Sequence, residues 1–225
     1  MARDRLTAKL ATRTNDPERT KADIIEVATK EFSENGYSGG RVDDIAERTK
    51  TSKRMIYYYF GSKDGLYKAV LLEYYRKLRG AERDLHLEDL PPLKALEALV
   101  HFTYDWHIAH EGDVRLVMVE NIHLGRHIVD LPAIEPINSG VIDLVGRICA
   151  RGEAEGVIRP GIRPIDLYMS IGALCFFNVS NRHTFATNYG YDMTSAAAVA
   201  ARRESVTEMI LRYAAARPLD LPTAS

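Results

Sequence analysis

A chain of 225 residues, 46% hydrophobic and 27% charged, has room for one large or two small domains with a sizeable core, and its composition is that of a soluble globular protein. A formal net charge of −1 excludes a polycation. No apolar run approaches the length of a membrane span and the first residues lack an apolar signal core, so a soluble cytoplasmic protein away from any membrane is expected.

Residues 1–18 read as a polar arm whose basic content is Arg3, Arg5, Lys9 and Arg13; it is either a tail without a role or a contact to phosphate or the minor groove. Residues 19–35 form a first helix, with Ile24, Ile25, Ala28 and Phe32 at helical spacing and Asn35-Gly36 as its stop. Tyr37 then enters the core and Ser38-Gly39-Gly40 is a flexible link. A second helix over 42–49 turns Val42, Ile45 and Ala46 inward and carries Asp43 and Asp44 in its first turn, where the helix dipole favours them.

A third helix, from about Ser52 to Phe60, follows after a tight turn. From Arg48 to Lys63 there are five basic residues (Arg48, Lys50, Lys53, Arg54, Lys63) and no acidic one. Residues 1–63 carry 13 Lys/Arg against 10 Asp/Glu, whereas the remainder carries 17 against 21. Basic character is thus local, on a mildly acidic body. Lys53 and Arg54 sit in the first turn, where the dipole disfavours cations, so compensation from a polyanion outside the fold is expected. Ile56 and Phe60 give the helix its inward stripe and leave Lys53, Arg54, Tyr57 and Tyr58 on other faces. Two short helices, the second one basic, make a helix-turn-helix pattern.

A fourth helix, Asp64 to about Leu85 with Ser62 as its cap, connects this unit to the body. The body is nearly all helix: about 92–111, 113–129, 133–155, 164–181 and 194–216, with a polar loop over 184–194. That makes nine helices in an all-α chain, organised as an arm (1–18), a DNA-binding unit (19–63), a helical effector-binding and dimerisation domain (64–217) and a tail (218–225). The eighth helix is apolar all round (Ile165, Leu167, Met169, Ile171, Leu174, Phe176, Phe177, Val179), which demands burial on every side and points to a second subunit. Cys149 and Cys175 have no metal-ligand spacing and read as buried thiols.

Helix 1 ending in Glu34-Asn35-Gly36-Tyr37, then Val42-x-x-Ile45-Ala46, then Ser52-Lys53-x-x-Ile56-Tyr57-Tyr58-Tyr59-Phe60-x-Ser62-Lys63-x-x-Leu66, resembles the TetR family of bacterial transcriptional regulators over about residues 19–70. The resemblance implies three DNA-binding helices, a connector, and a ligand-binding, dimerising body. It implies a homodimer joined through helices 8 and 9 that represses a near-palindromic double-stranded operator and is released by a small-molecule effector. No cofactor is expected. Arg41 stands where a small hydroxyl residue often caps helix 2, Arg54-Met55 where Gly-Thr is frequent, and Gly61 where proline is frequent.

On the DNA side, Arg54 is expected to read base edges, with Lys53 on phosphate or guanine. Tyr57, Tyr58 and Lys63 look like the family's phosphate clamp, Ser52 caps helix 3 and donates to phosphate, and Arg41 makes a contact of its own. In the body, Phe102, Trp106, His107, Met118, Asn121, His123 and Phe176 are candidate walls of an effector cavity, or plain core. Five histidines lie between 101 and 127. The pairs His107/His110 and His123/His127 have spacings that could converge on a metal, which would make a metal-responsive variant; with no cysteine nearby, no metal site is assigned. A helical enzyme using the His101–His127 cluster and Glu120 is a further competitor, but no nucleophile–base spacing, phosphate loop or carboxylate pair supports it.

Overall fold

A computed structural model describes residues 16–218. Of the sequence-based expectations, the arm residues Arg3, Arg5, Lys9 and Arg13 and the tail beyond 218 lie outside the described residues. The described residues hold ten α-helices: α1 Pro17–Gly39, α2 Val42–Arg48, α3 Lys53–Phe60, α4 Lys63–Arg83, α5 Pro92–Ala109, α6 Glu111–Ile122, α7 Ile134–Ala154, α8 Pro164–Ser180, α9 Arg182–Tyr189 and α10 Ala196–Ala214. A 3-10 turn spans Leu87–Asp89, and a lone antiparallel bridge joins Ile158 to Ala215. The fold is all-α, as expected.

Four boundaries differ from the sequence reading, each for a local reason. α1 starts at Pro17, because the Asp16 carboxylate accepts from the backbone N–H groups of Glu18 and Arg19 and proline suits the first helical position. Gly36 does break the helix, with φ at 68°, but one further turn continues to Gly39. α6 stops at Ile122, seven residues short of the predicted end, because Leu124 and Gly125 both adopt positive φ and turn the chain back on itself. The segment read as a polar loop contains α9. That helix buries no residue, so it has no apolar stripe for a pattern to reveal.

Two cores result. The N-terminal core packs Ile24, Ala28 and Phe32 of α1 against Val42 and Ile45 of α2, Ile56 of α3, and Leu66, Tyr67, Val70 and Leu71 of α4. The body core joins α5 (Leu96, Leu99, Val100), α7 (Val145, Ile148), α8 (Leu167, Ile171) and α10 (Val206, Ile210). α4 spans the two: its first half seals the N-terminal core, and its second half, with Tyr74 and Leu78 buried, carries Arg79, whose guanidinium lies over the Tyr168 ring of α8. At Gly65, in its first turn, a Cβ would lie 2.0 Å from the Phe60 carbonyl oxygen, so only glycine lets α3 and α4 meet this closely.

α4 is not the only link between the cores. Leu116 of α6 is buried in the N-terminal core. α6 packs on α1, where Val119 faces Gly36 and Gly112 faces Ser33. Cys149 and Cys175 are free and buried, and burial raises both thiols above the usual range. No helix among the described residues is long and apolar enough to cross a membrane.

Candidate nucleic-acid interface

The unit α1–α3 is held by one buried carboxylate that the sequence reading missed. Glu31 is nearly inaccessible to solvent. It accepts hydrogen bonds from the Asn35 side chain (3.0 Å), the Arg41 backbone N–H (3.2 Å) and the Arg48 guanidinium (3.2 Å). One residue thereby fixes the start and the end of α2 against α1. Its signal in the sequence was a charged residue beside Phe32 on the apolar side of a helix.

α3 leaves the turn after α2 with Ser52 as its cap, whose hydroxyl accepts from the Met55 N–H at 3.2 Å. Ile56 is fully buried and pins the helix. The opposite face is open: Tyr58 is 77% exposed, and Tyr57, Lys53 and Arg54 are also exposed. Tyr59 is half-buried, with the Lys21 ammonium over its ring.

The cations of this face are not equivalent. Lys53 is paired with Asp43 of α2 at 3.0 Å, and the hydrogen bond it donates to that carboxylate raises its pKa. Its first-turn charge is therefore compensated inside the fold, contrary to the expectation from the dipole. Arg41 lies 3.9 Å from Asp44 and Arg48 is tied to Glu31. Lys63 donates to the Ser38 carbonyl at 3.3 Å and lies 5.0 Å from the Tyr37 ring centroid, and burial lowers its pKa. Arg54 has no ion pair or side-chain hydrogen bond among the described residues. The argument from uncompensated first-turn charge therefore rests on Arg54 alone.

The seven residues expected to line an effector cavity are divided among separate places. Phe102 and Trp106, with ring centroids 5.5 Å apart, border a shallow groove that also holds His101, Asp105 and Arg203. His107 is buried edge-on to Phe176, with centroids 5.5 Å apart. Met118, Asn121 and His123 belong to α6 and its end. Asn121 is exposed, its amide donating to the Val117 carbonyl, and His123 lies 6.0 Å from His127 beside the N-terminal core. α6 packs mainly on α1, which carries its end beside the N-terminal core. Between α4, the 3-10 turn and α7 lies a cavity of about 430 Å³ lined by other residues, Arg79 and Val141 among them.

The histidines are used in other ways. His110 Nδ1 lies 2.9 Å from the Trp106 carbonyl and its ring stacks on that indole. His127 Nδ1 lies 2.8 Å from Glu120, a buried carboxylate. Among the described residues no group of three His, Cys, Asp or Glu side chains is placed to hold a metal ion.

His107 and the Arg79–Glu82 pair (2.6 Å) form a buried polar cluster in the body. Burial, then the Arg79 charge and His110, push His107 down to about 4. Burial pushes Glu82 up to about 7 against the pull of Arg79. The two act oppositely on stability. The His107 contribution is present above pH 6.5 and is lost as pH falls through about 4, since the unfolded chain takes the proton first. The Glu82 contribution is present below pH 4.5 and is lost as pH rises through about 7. Urea unfolding across this range should show a flatter acid limb in His107→Gln and a smaller loss toward neutral pH in Glu82→Gln, each by at most about 3 kcal/mol. An unchanged slope in either variant removes that group from the account.

Comparison with known proteins extends over the whole described chain. A family model described as bacterial regulatory proteins, tetR family, matches residues 24–70. One described as tetracyclin repressor-like, C-terminal domain, matches residues 92–210. The chain is 34% identical over 206 residues to the HTH-type transcriptional repressor NicS of Pseudomonas putida, covering 92% of this chain and 97% of that relative. It is 30% identical over 161 residues to the HTH-type transcriptional repressor SCO4008 of Streptomyces coelicolor, covering 71% and 78%. Among solved structures, a bacterial regulatory protein in the tetR family from Rhodococcus RHA1 superposes with a TM-score of 0.66 at 20% identity, over 87% of this chain and 96% of that one.

Proposed function

The chain belongs to the TetR family of bacterial regulatory proteins, and from that premise we propose that it is a ligand-responsive repressor binding a near-palindromic operator as a homodimer and released by a small molecule held in its body. Members of this family are DNA-binding regulators and not enzymes. Repression, rather than activation, is supported by the two relatives above, both transcriptional repressors.

The observation that carries the reading is the open face of α3. Ile56 is buried on one side; Arg54, Tyr57 and Tyr58 are exposed on the other, with Arg54 unpaired among the described residues in the first turn. That turn is the part of a recognition helix that meets base edges in the major groove. Arg54 is assigned to base reading, and Lys53, Tyr57, Tyr58 and Lys63 to phosphate, with Lys53 and Lys63 exchanging their present partners for it. Ser52 and Arg41 flank the same face. Selection of bound fragments from genomic DNA tests this. Enriched sites should share two inverted half-sites about one helical turn apart. Recovery of fragments without a shared inverted motif would sink it.

The homodimer is assigned to α8 and α10. Ile165, Met169, Ala173 and Phe177, spaced four apart, leave an apolar stripe on α8 that this chain does not cover, and Met169 is 63% exposed. Met209 is exposed on α10, as is Tyr213, whose ring lies partly under the Arg159 guanidinium. A stripe this continuous on two helices suits a four-helix interface with a second copy. Met169→Asp should weaken dimerisation by about 100-fold, combining roughly 2 kcal/mol of lost apolar burial with the cost of an interfacial charge. Sedimentation velocity over a dilution series measures it, and an unchanged dimer moves the interface elsewhere.

A further inference from the structure

The cavity between α4, the 3-10 turn and α7 has the size of a small-molecule site, about 430 Å³. Its walls are apolar on one side, with Leu87, Ile137, Val141 and Leu144. Its charges come from three arginines and two glutamates. Arg79 is paired with Glu82 at 2.6 Å, and Arg147 with Glu88 at 2.6 Å. Arg83, exposed at the rim, has no ion pair or side-chain hydrogen bond among the described residues. The lining therefore carries a net positive charge, and Glu82, pushed up to about 7, offsets Arg79 only in part near neutral pH. A second feature points the same way. Arg79 is only 6% exposed, and its Nε–H is shut from solvent with no acceptor. A buried donor left unpaired costs stability until an acceptor is supplied.

We propose that this cavity binds a small organic monoanion, a carboxylate on a compact apolar body, with the carboxylate between Arg83 and the Arg79 guanidinium and the apolar body against Ile137, Val141 and Leu144. The assignment rests on the ligand-responsive reading above and names its ligand class. An apolar neutral molecule would leave the Arg83 charge as it is, and a cation would be repelled by Arg83. The position also gives the ligand a grip on the connector: Arg79, Glu82 and Arg83 all belong to α4, whose first half is part of the N-terminal core. An acid drawn between α4 and α7 acts directly on the helix that carries the DNA-binding unit.

Gly140 supplies the blocking variant. It lines the cavity on α7, and a Cβ there would meet nothing within 4 Å, so a large side chain can be placed at the cavity wall without displacing the core. Calorimetric titration of the full-length protein with benzoate and with isovalerate should show at least one of them binding once per chain. The matching neutral amide should bind at least about tenfold more weakly, the difference expected for a charge-assisted hydrogen bond. Arg83→Gln and Gly140→Phe should each weaken the acid by a similar factor. Failure of both acids to bind, equal binding of acid and amide, or unchanged affinity in both variants would overturn the assignment. Mobility shifts with the genomic fragments of the preceding section separate the two readings. Acid binding without DNA binding would reject the repressor and keep the site. DNA binding released by a molecule other than an acid, with neither acid bound, would keep the repressor and reject the site.

Discussion

Glu120→Ala should lower stability by about 3–5 kcal/mol, the scale seen when a buried charged partner is removed and its neighbours are left unpaired. Glu120 lies in the last turn of α6 and is almost fully buried. One carboxylate oxygen accepts from the backbone N–H groups of His127 (2.8 Å) and Ile128 (3.1 Å), and the other lies 2.8 Å from His127 Nδ1. These bonds hold the turn that Leu124 and Gly125 begin. Through His127 the turn reaches the N-terminal unit: the imidazole packs on Tyr37 and Tyr67, and its Nε2 lies 3.7 Å from Asp64 at the start of α4. Chemical denaturation monitored by circular dichroism gives the total loss. Hydrogen exchange should show residues 123–130 losing protection first, because their amides lose their acceptor directly. Glu120→Gln keeps one acceptor oxygen and should cost about half as much or less. A loss under about 1 kcal/mol in the alanine variant would mean that water replaces the carboxylate and that the turn needs no anchor.

Arg54→Ala should flatten base discrimination at one or two operator positions by about 1–3 kcal/mol while leaving affinity for random DNA nearly unchanged. The physical ground is that Arg54 has no internal partner among the described residues, so none of its hydrogen-bonding capacity is committed before DNA arrives. A guanidinium presents the fork that matches guanine O6 and N7. Lys63→Ala should behave differently. An ammonium on phosphate carries no sequence information, so the variant should lose affinity for operator and random DNA alike and reduce the salt dependence by about one counterion. Lys63 must first leave the Ser38 carbonyl and the Tyr37 ring, which makes its effect the smaller of the two. Titrating both variants against the selected operator, its single-base variants and random DNA at several salt concentrations distinguishes them. Equal losses on specific and random DNA in Arg54→Ala would remove it from base reading.

Helix existence was legible where a helix buries a stripe at helical spacing, as Ile24, Ala28 and Phe32 do in α1 and Val145, Ile148 and Cys149 do in α7. α9 escaped because it buries nothing. The exposed side of α3 was legible for a similar reason: once Ile56 and Phe60 are assigned inward, the geometry of eight residues leaves few other places for Arg54, Tyr57 and Tyr58. The cavity proposed above was not among the sequence candidates, which were drawn from aromatic and histidine residues of α5, α6 and α8, whereas its lining comes from the second half of α4, the 3-10 turn and α7.

The sequence by itself determined the all-α class, the helix-turn-helix and its family, and which face of α3 is left exposed. Each of these depends on spacings within one helix or across one short turn, and so on local backbone geometry. Only the tertiary structure decided which charges remain free, where α6 goes and where the cavity lies. Asp43 meets Lys53 across a turn, Glu31 meets Arg48 across 17 residues, and Glu88 meets Arg147 across 59. Whether a charge is compensated depends on partners brought together by packing, and helical periodicity does not encode those partners.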